Sequence, residues 1–475
     1  MPASSPPFDC THKRPARRPC DTPGTGCRPG PRLGRVTDSL DVALDDATRR
    51  YRERNPTSAR LAQAAAEVMP GGNTRSVLHT EPFGMRIDSA EGAMLTTVDG
   101  QHVVDLLGDY SAGLLGRRPE VAEAVRGVLA RGWGYGAMGE PETTFARALV
   151  ERFVSVDQVR FTNSGSEADL MAVLTARHVT GRARVVVFEG AYHGGPMTFL
   201  PGSAPLRVPF DFAVLPYNDP AAVEAEFAHR GDEIACVLVE PMLGAGGCIP
   251  ASPQFLTVLR SLTRAHGSLL VMDEVMTSRL AVGGAQQVYG VHADLTVLGK
   301  YFGGGLSFGA FGGPRHVMAA FDPAQGGLTH GGTFNNNAFT MAVGSAVTEM
   351  LDADTLKRLN DRGDRLRGQL SDALTPVRFC VTGTGSMMTI HPTPGPVEQW
   401  SDIAEVDPRW RRLLFHDLLA RGYYIAERGY LALSLALTEQ HLDGFVAAAR
   451  AFATEHADLV ASNAPTRSSN RSTPT

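Results

Sequence analysis

"LLVMDEVMTSRL" at residues 269–280 and "DLTVLGKYFGGG" at residues 294–305 share a pattern: a short apolar run that stops at charge. The first ends in Asp273-Glu274, the second in a lone lysine, Lys300, set against a glycine-rich turn. A charge buried without a partner is either costly or forced to neutralise. Opposite charges at the ends of two strand-like segments therefore point to one polar site on an apolar scaffold.

Three further runs lie upstream: "QVRFTNSG" (158–165), "RVVVFEG" (184–190) and "CVLVEPM" (236–242). Helical patterns separate the runs. In "SPQFLTVLRSLTRAH" (252–266), Ser252 takes the N-cap position and Pro253 the first helical one, with apolar residues at 255, 256, 259 and 262. Non-alternating Val/Leu runs separated by helices predict an α/β fold, its mostly parallel sheet covered on both faces. Ligands bind beyond the carboxyl ends of such strands. Those ends here are Asn163-Ser164-Gly165, Glu189-Gly190, Glu240, Asp273-Glu274 and Lys300, which together define one site. The large domain is expected over 101–344. A smaller α+β domain is expected from 37–100 and 345–460, the latter with strand-like "FCVTGTGSMMTIH" (379–391) and "LALSLAL" (431–437). Ser39 opens one helical pattern, and "PTSARLAQAAAEVM" (56–69) forms a second that ends at Pro70.

The remaining composition narrows the class. With 43% apolar and 20% charged residues over 475 positions, the chain can bury a large core. A net charge of −5 gives no electrostatic reason for a nucleic-acid partner, and no apolar run approaches the ~20 residues that cross a bilayer. Six scattered cysteines form neither a disulfide framework nor a metal spacing, so a reducing cytoplasm is the expected location. Residues 1–36 are rich in Pro, Arg and Gly and lack a signal peptide's apolar stretch, so they are expected to be a disordered tail. They read as a translated upstream region, with the start near Val36. The Ser/Thr/Pro-rich residues 461–475 are expected to be a second such tail.

Each strand end has its own chemistry. "FTNSGSEADL" (161–170) is a strand, a turn of small residues, then a helix start, where amides and Ser hydroxyls bind phosphate or simply cap the helix. "EGAYHGG" (189–195) offers Tyr192 and His193; an aromatic there stacks on a planar ligand or roofs the core. "HGGTFNNN" (330–337) adds hydroxyl and amide donors. Asp273 and Lys300 are either a buried ion pair or the two charges that pyridoxal 5′-phosphate requires. In the second case the lysine forms the Schiff base and the carboxylate keeps the pyridinium nitrogen protonated.

"FTNSGSEA", "YHGG", "LVEPM", "DEVMTSR", "LGKYFGGG" and "GTFNNN" occur in an order and spacing that resemble the class III, fold-type I pyridoxal-phosphate aminotransferases, over roughly residues 57–455. The resemblance implies that Lys300 carries the cofactor and Asp273 holds its ring nitrogen. It implies that Ser164, Gly165 and Ser166 cradle the phosphate. Tyr192 would stack on the ring, Val275 pack on its other face, and Glu240 join the hydrogen-bond network. Thr333 would reach the neighbouring subunit's phosphate, which implies a homodimer. Ser166 stands where Thr is more familiar, and the hydroxyl is kept.

Two branches of that class look similar: the β-amino-acid aminotransferases, including the β-phenylalanine type, and glutamate-1-semialdehyde 2,1-aminomutase. "MPGGNTRSV" (69–77) resembles both; "LHTEPFGMRI" (78–87), "DLLGDYSAGLLG" (105–116) and "GTFNNN" look more like the first. In "YYIAERGYLALSLALT" (423–438), aminomutases tend to carry a carboxylate near position 429, whereas this chain has Gly429 preceded by Arg428. Arginine offers a planar fork for a carboxylate. Arg75 and Arg428 are therefore expected to hold carboxylates in two sub-pockets, one for a β-amino acid and one for a keto acid. The simpler alternatives are a surface position for Arg75 and an ion pair with Glu427 for Arg428. Tyr110 and Gly134-Tyr135-Gly136 are expected in the pocket wall. A decarboxylase or racemase on this scaffold, or a non-catalytic cofactor sensor, is the remaining alternative; the basic tail is too short and proline-rich for a sensor's DNA-binding domain.

Overall fold

The structure, a computed structural model, describes residues 39–325 and 327–462. Residues 1–38 and 463–475 lie outside the described set, and with them the expectation of a start near Val36, the whole expected tail 1–36 and all of the expected tail 461–475 except its first two residues, which end the helix Glu439–Ser462. The centre is a seven-stranded sheet: β1 (Gln158–Thr162), β2 (Arg184–Phe188), β3 (Asp211–Leu215), β4 (Ile234–Val239), β5 (Leu269–Asp273), β6 (Leu295–Gly299) and β7 (Gly309–Gly313). Its spatial order is β1-β7-β6-β5-β4-β2-β3. Strands β3, β2, β4, β5 and β6 pair in parallel, and β7 runs antiparallel to both β6 and β1.

All five runs identified in the sequence are strands of this sheet. Every residue of β4 and β6 is buried, as expected for strands covered on both faces. Each such Val or Leu contributes about 1.5–3 kcal/mol relative to exposure. The helix Pro253–His266 starts as its sequence predicts: the Phe255 amide donates to Ser252 Oγ at 3.1 Å, and Phe255, Leu256 and Leu259 turn into the core. The helix Gly165–Thr180 packs Ala168, Ala172, Val173 and Ala176 into the same core.

Strand β7, "GAFGG", is not evident from sequence because glycine weakens strands. Packing explains it: a Cβ at Gly309 would sit 2.0 Å from the Ser164 carbonyl oxygen. Only a bare backbone lets β7 lie that close to the turn after β1.

Elements from both ends of the chain build smaller sheets. The strands Ile87–Glu91, Met94–Thr97 and His102–Asp105 form a meander joined in parallel by Tyr423–Tyr424. This meander straddles residue 100. Cys380–Thr384, Met387–His391 and Tyr430–Ala432 form a three-stranded antiparallel sheet. Of "LALSLAL", only Leu431 and Ala432 are in a strand. Among the described residues no helix is long and apolar enough to cross a membrane.

Candidate active site

Strand register brings the charges together. Val239 lies opposite Met272, which sets Glu240 level with Asp273; Asp273 lies opposite Val297, and the chain reaches Lys300 three residues later. Lys300 has φ +52, an uncommon conformation for a residue with a Cβ. Asp273 and Glu240 are each 5% exposed, and His193 is fully buried.

Asp273 forms no ion pair with Lys300. Its Oδ2 accepts from His193 Nδ1 at 2.8 Å and its Oδ1 from the Val275 amide at 3.0 Å. Glu240 accepts from the Tyr192 amide and the Gly244 amide, both at 2.9 Å. Desolvation pushes the Glu240 carboxyl up to about 7; the His193 charge opposes this and the Asp273 charge adds to it. Desolvation lowers the Lys300 ammonium below its ordinary value against the pull of Asp273, and the Arg428 charge lowers it further. A lysine so placed is a better nucleophile and proton carrier at neutral pH.

The turn between β1 and the next helix supplies the cradle. Ser164 is the helix N-cap, its Oγ accepting the Glu167 amide at 3.2 Å, while the Ala168 amide goes to the Ser164 carbonyl. The first two amides, of Gly165 and Ser166, have no acceptor within a helix and are the natural anion donors. A Cβ at Gly165 would lie 2.9 Å from Val275 Cγ2, so the Val275 side chain packs against this cradle while its amide is held by Asp273. Tyr192, its amide held by Glu240, is 42% exposed. An anion cradle, a buried carboxylate, a desolvated lysine and an exposed aromatic fit a phosphorylated pyridine aldehyde.

The two arginines meet at one ring. Arg75 lies 5.6 Å and Arg428 5.0 Å from the centroid of Tyr110, which stacks on Tyr430 at 5.8 Å. Tyr110 sits in four consecutive left-handed residues, Gly108 to Ser111, with φ of 54, 44, 54 and 75°. Runs of that conformation cost about 1–2 kcal/mol per non-glycine residue. The Gly113 amide to the Gly108 carbonyl (2.7 Å), the Gly108 amide to Asp105 (2.9 Å) and the Tyr110 hydroxyl to the Val77 carbonyl (3.0 Å) hold it. Arg75 is half-exposed and pairs with exposed Asp109 at 2.8 Å. Arg428 does not pair with Glu427, which faces Arg412 at 3.4 Å; its buried Nε has no partner among the described residues.

Thr333 is exposed and lines a cavity of about 210 Å³ with Trp133, Gly134, Tyr135 and Gly136. No member of the Asp273–Lys300 cluster lines it. Trp133, Tyr135, Met138 and Phe334 around it are all more than half exposed. The structure gives His193 a role that its place beside Tyr192 did not announce, bonded to Asp273, and adds Asp169, buried on the helix after the cradle. Asp169 was hidden by its position, since an acidic residue near a helix start ordinarily reads as a solvated charge.

Comparison with known proteins agrees with this arrangement. The aminotransferase class-III pattern matches residues 76–449. A β-phenylalanine transaminase of Variovorax paradoxus is 47% identical over 89% of this chain and 98% of its own length. A β-phenylalanine aminotransferase crystal structure from that organism superposes with a TM-score of 0.87, covering 89% of this chain and 99% of the other. A glutamate-1-semialdehyde 2,1-aminomutase of Sorangium cellulosum is 39% identical over 84% of this chain and 96% of its own length. A transaminase solved with pyridoxal phosphate bound is 32% identical, with a TM-score of 0.77 over 86% of this chain and 99% of its own.

Proposed function

The chain belongs to the class-III aminotransferases, pyridoxal-phosphate enzymes of fold type I, and from that premise we propose that it moves the amino group of a β-amino acid to a keto acid such as 2-oxoglutarate or pyruvate. The observation that carries this reading is at position 429. Gly429 has φ +88, and a Cβ there would lie 2.2 Å from the Ile390 carbonyl oxygen. A carboxylate side chain has no room there. The preceding residue instead supplies a guanidinium, Arg428, stacked on Tyr110.

The bound cofactor supplies an electron sink for the carbanion formed at the amine-bearing carbon. Lys300 would hold the cofactor, and its Nζ is the group of this chain placed to take up and return the substrate proton. Asp273 would hold the ring nitrogen and keep it protonated. Ser164, Gly165 and Ser166 would hold the phosphate, Tyr192 and Val275 would lie against the ring, and Glu240 fixes the turn carrying Tyr192. Arg428 and Arg75 take substrate carboxylates. They share the Tyr110 ring, so the two carboxylate positions adjoin. The exposed apolar patch around Thr333 supports a homodimer in which each Thr333 serves the neighbouring copy's phosphate. The cytoplasm is its proposed location.

The test is product stoichiometry. Purified enzyme given 3-aminobutyrate or β-phenylalanine with 2-oxoglutarate is expected to form one glutamate per amine consumed, and none without a keto acid. Consumption of glutamate-1-semialdehyde with no acceptor, and no reaction with β-amino acids, would make it an aminomutase.

A further inference from the structure

We propose that Asp169 is a positioning residue that carries a proton on its buried carboxyl and donates it, as an O–H hydrogen bond, to the Asp273 carboxylate. The inference rests on Asp273 facing the cofactor's ring nitrogen. Three carboxyls, Asp169, Glu240 and Asp273, meet at the strand ends, and Lys300 and His193 are the nearby cationic or protonatable groups. Three negative charges in so dry a site repel one another strongly.

Hydrogen-bond donors decide which group is neutral. Glu240 accepts two backbone amides, and Asp273 accepts an amide and an imidazole N–H. Asp169 is 1% exposed, and its Oδ1 has no partner among the described residues. The ligating atoms of Asp169, His193 and Asp273 all lie within 4.8 Å of one another. A carboxylate without donors beside another carboxylate is the one that takes up a proton. Burial, then the charges of Asp273 and Glu240, drive Asp169 well above the ordinary carboxyl range, against the pull of Lys300. Protonation turns a repulsion into a hydrogen bond.

The consequence falls on Asp273. A carboxylate offers about four lone-pair positions. The Val275 amide, His193 Nδ1 and the Asp169 O–H occupy three, which leaves one for a ring-nitrogen proton and fixes the carboxylate's orientation. A divalent ion among the same three residues fits less well, because both Asp273 oxygens already accept hydrogen bonds, which leaves Asp169 Oδ1 and His193 Nε2 as their buried atoms without a partner among the described residues.

Infrared difference spectra of cofactor-loaded wild type against Asp169→Asn, in H₂O and D₂O at pH 8, test the proton directly. The expected result is a protonated-carboxyl C=O band that is present in wild type, shifts in D₂O and is missing in the variant. Loss of carboxylate bands instead, or a stoichiometric metal that disappears with the substitution, would overturn the proposal. If Asp169→Asn does not fold, Asp169→Thr, which keeps a hydroxyl donor, gives the same comparison. The absorbance titration of the lysine-bound cofactor is the second readout. Replacing a neutral Asp169 by Asn moves its midpoint by less than about 0.3 unit, whereas removing a charge there would lower it by about one unit or more. Asp273→Asn separates the two readings: unchanged cofactor retention and titration in that variant would remove Asp273 from the ring nitrogen, whatever the infrared band says of Asp169.

Discussion

The two ends of the site are built differently. The proposed cofactor end is a set of strand termini on a sheet buried on both faces, where neighbouring register fixes Glu240, Asp273 and Lys300 relative to one another. The proposed substrate end is a loop, Gly108–Ser111, held in left-handed conformation, with one arginine from each end of the chain laid on its tyrosine. Rigid strand ends suit a group that stays through many turnovers. A ring flanked by two guanidinium groups suits carboxylates that arrive and leave by turns.

That contrast can be sharpened by substitution. Arg428→Ala is expected to have the largest effect at the substrate end, because its guanidinium is half-buried with an unpartnered Nε. A charge-assisted bond of about 1.5–3 kcal/mol corresponds to a roughly 10–100-fold rise in KM for one of the two substrates. The cofactor should still be retained, and the titration of its lysine-bound absorbance should move upward, since the Arg428 charge lowers the Lys300 ammonium. Arg75→Ala should cost less, below about tenfold, since Arg75 is solvent-exposed and already shares its charge with Asp109. Steady-state kinetics with each substrate varied in turn checks both. Equal effects of the two substitutions on both substrates would mean that they serve one carboxylate rather than two.

The smallest effect lies outside the site. Burial pushes the imidazoles of His391 and His416 from 6.5 down to about 4. The folded protein keeps them neutral while the unfolded chain protonates them below about pH 6.5, so stability is lost as pH falls from there toward 4. His391 Nε2 meets the Gly247 carbonyl at 3.0 Å and Thr382 Oγ1 at 2.8 Å, contacts that a Gln amide can approximate. His391→Gln should therefore shrink the fall in Tm between pH 7 and pH 5 by about 2 °C. An unchanged fall would mean that His391 is protonated in the folded state.

The same contrast explains what the sequence discloses. Apolar runs that end in Glu240, Asp273 and Lys300 are visible because each charge interrupts a buried strand. The antiparallel strand β7 is not, because three of its five residues are glycines required by close backbone contact. Asp169 is hidden and the role of His193, though named at its strand end, is unreadable for another reason: they approach Asp273 across 104 and 80 residues of chain, which no local pattern records. At the substrate end the arginines can be named from their motifs, but their meeting at a single tyrosine depends on a backbone turn that "GDYS" does not announce.

The most direct test of the strand-end site is where the cofactor is attached. The chain has three lysines, Lys13, Lys300 and Lys357, and Lys357 is exposed on a helix beside Asp361. Borohydride reduction of the cofactor-loaded enzyme, followed by proteolysis and peptide mass analysis, should place the pyridoxyl group on Lys300, with no label in Lys300→Ala. Label on Lys13 or Lys357, or undiminished labelling of the Lys300→Ala variant, would contradict the site.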